Sequence, residues 1–190
     1  MDKSLLKPCP VCGCGLDVFY DTETNYEYSA GCQSCSFQSK GYSTKQELFI
    51  DWRASTRPSK DEYYLNIAEV VMSRSTCLRR KYGSVIVKND EIIATGYNGS
   101  PRGDKNCCDI GECWREEYGI PHGQRYELCC AVHSEANAII SASRRDMQGA
   151  VLYLASDKPK AEPCDICKRL IKNAGITKVI TREKITEVKS

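Results

Sequence analysis

His-Ser-Glu at residues 133–135 and Pro-Cys-Asp-Ile-Cys at residues 163–167 are the two stretches around which the fold is built. Three protein ligands with an open fourth position are typical of a zinc ion that does chemistry. We therefore expect His133, Cys164 and Cys167 to bind one catalytic zinc. The alternative is a purely structural Cys-x-x-Cys knuckle beside a histidine that caps a helix.

Both stretches are predicted to open helices, which places the ligands at helix N-termini. The helix dipole and the unpaired backbone N–H groups stabilise thiolates there, so the pKa values of Cys164 and Cys167 are expected to be lowered. Glu135, two residues after the histidine ligand, is expected beside the open metal position. Its predicted role is that of a proton shuttle and not of a ligand.

Hydrophobic periodicity around the two stretches predicts alternating helices and strands. Helices are expected at 61–78, 133–144 and 164–173, and strands at 84–87, 92–97, 150–154 and 178–180. The last ten residues are expected to fray or to add an edge strand. Helices that alternate with strands in this order predict an α/β fold with helices packed on a sheet.

Two further Cys-x-x-Cys pairs lie near the N-terminus, Cys9 with Cys12 and Cys32 with Cys35. Two such knuckles, separated by about 15 to 20 residues, can hold one zinc tetrahedrally, and so short a module needs the metal to fold. The pattern predicts a zinc ribbon; a redox pair is the alternative.

Between the knuckles, 16–20 and 26–30 alternate like the strands of a hairpin, and 43–47 resembles a capped helix start. A polar linker with a proline follows at 55–60. The predicted domains are therefore a zinc-ribbon module at 1–57 and a second domain at 58–190.

Composition narrows the classes of function. The chain has 190 residues, 41% of them hydrophobic, enough for one ordinary domain and a small module. Its thirteen cysteines lie mostly in pairs, and no apolar run is long enough for a membrane span or a signal peptide, so we expect metal thiolates in a cytoplasmic protein. A net charge of +2 argues for a small substrate over nucleic acid.

The order His-x-Glu, then Pro-Cys-x-x-Cys, resembles zinc-dependent deaminases. Motifs at 75–87, 96–103, 133–140 and 173–176 extend the resemblance over 61–181, which looks like the cytidine and deoxycytidylate (dCMP) deaminase family. The resemblance implies a layered α/β/α sheet domain and the hydrolysis of dCMP to dUMP and ammonia. Residues 7–53 resemble small zinc-ribbon proteins related to restriction-alleviation proteins.

The family resemblance also implies further site residues. Asn98 and Asn137 would line the nucleotide pocket, and Tyr97 and Gly99 would lie near a triphosphate effector that carries Mg²⁺. Arg144 would face the same effector; the alternative is a solvated surface charge. Family members are homo-oligomers, often hexamers, which is the assembly we expect.

Some members of the family hold an additional zinc, and the Gly- and Cys-rich stretch 98–131 offers soft ligands for it. Our predicted ligands for this further zinc are Cys77, Cys107, Cys113 and Cys129. Cys108, His122 and Cys130 are candidates as well.

Two departures from the family bear on the substrate. Ser134 replaces the usual alanine, and the loop 155–162 is about five residues longer than expected. Because that loop borders the pocket, its length bears on the choice of dCMP as substrate and not on the deamination chemistry. The alternatives are a nucleic-acid-editing deaminase recruited by the ribbon, and a metal-dependent binding module without activity.

Overall fold

The computed structural model describes residues 8–9, 11–21, 27–55, 58–121 and 123–188. The chain divides into two compact units, Met1–Ser59 and Lys60–Ser190. Within the described residues, no helix is long and apolar enough to cross a bilayer.

The first unit is a β-hairpin followed by a helix. Strand β1 (Asp17–Asp21) pairs antiparallel with β2 (Glu27–Gly31), and α1 spans Lys45–Ser55. A capping box opens α1, because the Glu47 amide donates to Thr44 Oγ1 (3.1 Å) and the Thr44 amide donates to the Glu47 carboxylate (3.2 Å). Leu48, fully buried, packs in a small core that also contains the ribbon cysteines Cys9 and Cys32.

The second unit contains the remaining elements. In chain order they are α2 (Lys60–Met72), β3 (Tyr82–Lys88), β4 (Glu91–Tyr97), α3 (Cys107–Ile110), α4 (Trp114–Glu117), a 3-10 helix (Tyr126–Leu128), α5 (Ser134–Ile140), α6 (Arg144–Met147), β5 (Val151–Ser156), α7 (Asp165–Ala174), β6 (Lys178–Ile180) and β7 (Ile185–Glu187).

One five-stranded sheet, in the order β4-β3-β5-β6-β7, forms the middle layer. Only β5 and β6 are parallel, and α7 is the crossover between them. Alternate residues of a strand face opposite sides: Val85 and Val87 pack with α2, whereas Ile86 packs with α5 and α7. The unit is therefore the three-layered α/β/α structure that the pattern predicts.

Glycines allow two helices to approach the sheet closely. A Cβ atom on Gly83 would lie 2.1 Å from the Ala68 carbonyl oxygen of α2. A Cβ atom on Gly96 would lie 2.3 Å from the Ser134 carbonyl oxygen and 2.4 Å from the Ala138 nitrogen of α5. Gly96 thus sets the distance between β4 and the helix that begins beside His133.

Helix ends are where the predicted bounds are wrong. The helix expected at 133–144 ends at Ile140, where Ser141 Oγ donates to the Asn137 carbonyl (2.8 Å), and Ser143 then caps the separate helix α6. The helix expected at 61–78 ends at Met72. Serine hydroxyls compete for backbone hydrogen bonds, so they favour helix ends over helix interiors. At the C-terminus β7 adds an edge strand.

Candidate active site

The three predicted zinc ligands meet at the N-termini of two helices. His133 is the N-cap residue of α5, Cys164 is the N-cap residue of α7, and Cys167 lies in the first turn of α7. His133 Nδ1 lies 3.4 Å from the sulfur of each cysteine. A tetrahedral zinc with ordinary Zn–N and Zn–S bond lengths requires an N···S separation of about 3.5 Å. The donor set therefore fits zinc with one open position.

The start of α7 prepares one thiol for metal binding. The Cys167 amide donates to Cys164 Sγ at 3.5 Å. The hydrogen bond from the Cys167 thiol, followed by that from His133, lowers the pKa of Cys164 to about 4, against the effect of burial. The same thiol–thiol pairing raises the pKa of Cys167, because only one of two adjacent sulfurs readily carries the charge. A bound cation would favour the deprotonated form of both.

Glu135 is a buried carboxylate, with 3% of its surface exposed. Ser134 Oγ donates to Glu135 Oε2 (3.0 Å), and the hydroxyls of Ser84 and Ser134 are 2.8 Å apart. Burial raises the pKa of Glu135, although the hydrogen bond from Ser134 opposes that shift. A raised pKa makes the carboxylate a stronger base, which suits a group that accepts and returns protons. Ser134, which replaces the usual alanine, thus orients the predicted shuttle.

These groups open into a cavity of about 550 Å³. Its walls include Glu135, His133 and Cys164 on one side, and the basic side chains Arg115 and Lys158 elsewhere. Its volume is in the ordinary range for a small-molecule site.

Arg115, in the cavity wall, packs through Tyr126 against His133, one of the predicted zinc ligands. Its side chain is buried, and its Nη2 donates to the carbonyls of Pro121 and Gln124. Its guanidinium stacks on Tyr126 (4.8 Å to the ring centroid), and that ring meets the His133 imidazole edge to face at 4.9 Å. Packing of this kind fixes the orientation of the imidazole.

A family model described as the cytidine and deoxycytidylate deaminase zinc-binding region matches residues 58–183. The chain belongs to this deaminase family. The match spans the second unit, and it confirms the predicted family and its fold.

Individual deaminases of the family agree with this assignment. The deoxycytidylate deaminase of Mycobacterium phage D29 is 41% identical over 130 residues, which are 66% of this chain and 95% of that enzyme. The deoxycytidylate deaminase of Schizosaccharomyces pombe is 37% identical over 125 residues, covering 65% of this chain and 37% of the yeast protein. The crystal structure of the cyanophage S-TIM5 dCMP deaminase in apo form aligns with a TM-score of 0.50 and 31% identity, over 67% of this chain and 85% of that one.

The structure places the two asparagines implied by the family resemblance differently: Asn98 lines the cavity and Asn137 does not. Asn98 lies in the wall of the cavity, where its Oδ1 accepts hydrogen bonds from Ser75 Oγ and the Tyr82 amide, both at 2.7 Å. Its Nδ2 donates to the Arg80 carbonyl (2.8 Å). Asn137 is outside that wall, and its Nδ2 donates to the Tyr97 carbonyl (2.8 Å).

The predicted effector residues lie on two segments of the deaminase unit. Tyr97 is partly exposed at the end of β4, and Gly99 forms a β-bridge with Val132. Arg144 opens α6, where its Nε donates to the Asn173 carbonyl at 3.1 Å. The effector role of all three stays a prediction.

The cysteines of the further zinc are near one another without forming a closed cluster. The sulfurs of Cys107 and Cys130 are 3.5 Å apart, and burial raises the pKa of Cys107 to about 12. Cys77, Cys113 and Cys129 lie in the wall of the catalytic cavity. His122 lies outside the described residues.

The ribbon cysteines do form a closed cluster. Cys9 and Cys35 have sulfurs 3.5 Å apart, as do Cys12 and Cys32, and all four sulfurs lie within 4.8 Å of one another. This set fits a tetrahedral zinc, whose S···S separation is about 3.8 Å. Across the described part of the chain, this cluster and the His133 site are the two such groups found.

Sequence reasoning missed the basic residues of the cavity. The motif at 75–87 contains Arg79 and Arg80, but its pattern predicted no role for either arginine. Arg115 lies in the Cys-rich stretch 98–131, which was predicted to be functional. Lys158 belongs to the long loop that departs from the family. A cluster of basic residues on loops next to the zinc motif was the available signal.

Proposed function

We propose that this chain is a zinc-dependent deaminase that hydrolyses dCMP to dUMP and ammonia. One observation carries the proposal: the buried carboxylate of Glu135 opens into the same cavity as a three-ligand zinc cluster. The similarity to the deoxycytidylate deaminase of phage D29 over nearly the whole phage enzyme supports the substrate.

The chain's own residues account for the proton transfers. His133, Cys164 and Cys167 would hold the zinc, which supplies Lewis-acid activation of water when it is bound. The carboxylate of Glu135 takes a proton from the attacking water and gives it to the ring nitrogen; it then takes a second proton from the hydroxyl group added to the substrate carbon and gives it to the leaving amine, which departs as ammonia. Ser134 holds the carboxylate in place through its hydrogen bond to Oε2. The surrounding walls limit the access of bulk water, which strengthens these interactions.

We further propose that the first unit holds one structural zinc on Cys9, Cys12, Cys32 and Cys35, and that a further zinc is held by Cys77, Cys107, Cys113 and Cys129. The separation of the four ribbon sulfurs supports the first site. The buried Cys107 and its proximity to Cys130 support the second, with Cys130 as a further candidate ligand.

A homo-oligomer, a hexamer by resemblance, belongs to the same proposal, with a Mg²⁺–triphosphate effector near Tyr97, Gly99 and Arg144. None of the thirteen cysteines, all of which lie in the described ranges, forms a disulfide bond, which supports a reducing compartment such as the cytoplasm.

A substrate panel tests the proposed reaction. The purified protein is incubated with dCMP, dCTP, deoxycytidine, cytidine and a cytosine-containing oligonucleotide, while uracil product and ammonia are measured. We expect turnover of dCMP above all other substrates. Turnover of the oligonucleotide alone would establish the editing alternative, and no turnover by the zinc-loaded protein would favour the binding module.

A further inference from the structure

The loop at residues 156–162, which we name the long loop, is fixed against the start of β3. Arg80 makes three hydrogen bonds to this loop. Its Nε donates to Ser156 Oγ (3.1 Å), and its Nη2 donates to the carbonyls of Pro159 (2.8 Å) and Lys160 (3.2 Å). The Arg80 guanidinium also lies over the Tyr82 ring, at 4.9 Å from its centroid. The longer loop is therefore fixed in place by hydrogen bonds where it forms part of the cavity wall.

Further contacts fix the two ends of the long loop. The Lys81 amide donates to Asp157 Oδ1 (2.9 Å), and the Asp157 amide donates to the Lys81 carbonyl (3.2 Å). Near the other end, Ala161 is buried in the core of the second unit, and Glu162 forms an ion pair with Lys184. Lys158 lies between these anchors and lines the cavity.

Lys158 adds a positive charge that the described residues do not neutralise. The other lysine of the cavity wall, Lys168, has its Nζ 3.0 Å from Asp165. No ion pair or side-chain hydrogen bond of Lys158 occurs within the described ranges. Lys158 is exposed, and an ammonium group in a pocket wall without a counter-charge favours an anionic ligand.

Two arginines of the same cavity also retain unused donors. Arg79 Nη1 and Arg115 Nε are buried, and neither has a hydrogen-bond partner among the described residues, although other nitrogens of both side chains bind backbone carbonyls. Arg115 as a whole is 7% exposed. Buried donors without acceptors are costly, and a ligand oxygen would satisfy them.

We propose that Lys158 is a specificity-determining residue of this deaminase: the long loop places its ammonium group in the cavity to bind the phosphate of a cytosine mononucleotide. This inference rests on the proposed function, and it gives the longer loop a role. Charge-assisted hydrogen bonds from lysine to a phosphate oxygen are stronger than neutral ones. Lys158 does not reach the reacting carbon in this scheme, so it sets the choice of substrate and not the chemistry.

The test compares Lys158→Met with a control from the same loop, Lys160→Met, whose side chain does not line the cavity. For Lys158→Met we expect kcat/KM for dCMP to fall about tenfold to a hundredfold, mainly through KM, as loss of a charged hydrogen bond predicts. Turnover of deoxycytidine, which has no phosphate, should stay unchanged. Lys160→Met should match the wild type on both substrates.

Product inhibition gives a second readout that does not require the nucleoside to be turned over. The inhibition constant of dUMP should rise in Lys158→Met by the same factor, whereas that of deoxyuridine should not. Equal losses on dCMP and deoxycytidine would mean a structural role, and an unchanged kcat/KM for dCMP would remove Lys158 from substrate recognition; either result overturns the inference. Wild-type protein that turns over no cytosine substrate would instead refute the proposed function itself.

Discussion

At the scale of single residues, the candidate site depends on a division of labour between metal ligands and Glu135. The candidate ligands are sulfur and imidazole nitrogen, which suit zinc, whereas the carboxylate is not part of that cluster and accepts a hydrogen bond from Ser134. A shuttle of this kind is separable from metal binding.

Replacing Glu135 with glutamine should therefore stop catalysis and leave the zinc in place. The amide keeps the size of the side chain but cannot accept a proton, so kcat should fall by a factor of about 10² to 10⁴. Turnover of dCMP and zinc content per chain are the two measurements. Glu183→Gln, an exposed residue far along the chain, is the matched control. A Glu135→Gln enzyme with normal turnover would assign the shuttle to another group.

At the scale of elements, the site is built where α5 and α7 begin beside the sheet. Both helices present their first turns to the cavity, so the distance between helix and strand controls the ligand geometry. Gly96 of β4 lies directly against the backbone of α5.

Gly96→Ala should destabilise the second unit and impair the site together. The added methyl group would meet backbone atoms of α5 at 2.3 and 2.4 Å, and backbone cannot rotate away as a flexible side chain can. Overpacking of this kind costs about 1–3 kcal/mol of unfolding free energy. The midpoint temperature of thermal unfolding and the rate of dCMP turnover should both fall. The control, Thr95→Ala at an exposed neighbouring position, should change neither by much. A Gly96→Ala protein with unchanged stability would show that α5 can move without consequence.

At the scale of the whole molecule, the chain has two units with separate hydrophobic cores. The core of the first unit is small and contains two of the four cysteines of the proposed zinc site, so we expect this unit to need a metal to be stable. The deaminase unit has its own sheet and its own ligands.

Cys9→Ser should lower the zinc content by one ion per chain and leave dCMP turnover close to that of the wild type. We expect two to three zinc ions per wild-type chain by elemental analysis, three if the further site on the Cys-rich stretch is filled. The control is Cys14→Ser, an exposed cysteine outside the four-sulfur cluster. Unchanged zinc content in Cys9→Ser would refute the ribbon site, and a loss of turnover would mean that the ribbon supports catalysis.

Much of the fold and the ligand set could be predicted from the amino-acid sequence because their signals are local. Cys164 and Cys167 are one helical turn apart, Glu135 is two residues from His133, and the central strands are short, continuous apolar runs. The family match confirms the fold, whereas the ligand set stays a prediction. Helix ends were less predictable, since single serines at 141 and 143 outweighed the periodicity around them.

The tertiary structure alone decided which side chains share the cavity. Lys158 reaches it because Arg80, far away in the sequence, holds the long loop, and Arg115 reaches it through carbonyls of a different loop. Such contacts leave no periodic trace, because they join residues distant in the chain by directional hydrogen bonds. The sequence by itself determined the deaminase family and the candidate zinc ligands and proton shuttle; packing decided what surrounds them, since burial and charge in a pocket are properties of the folded chain.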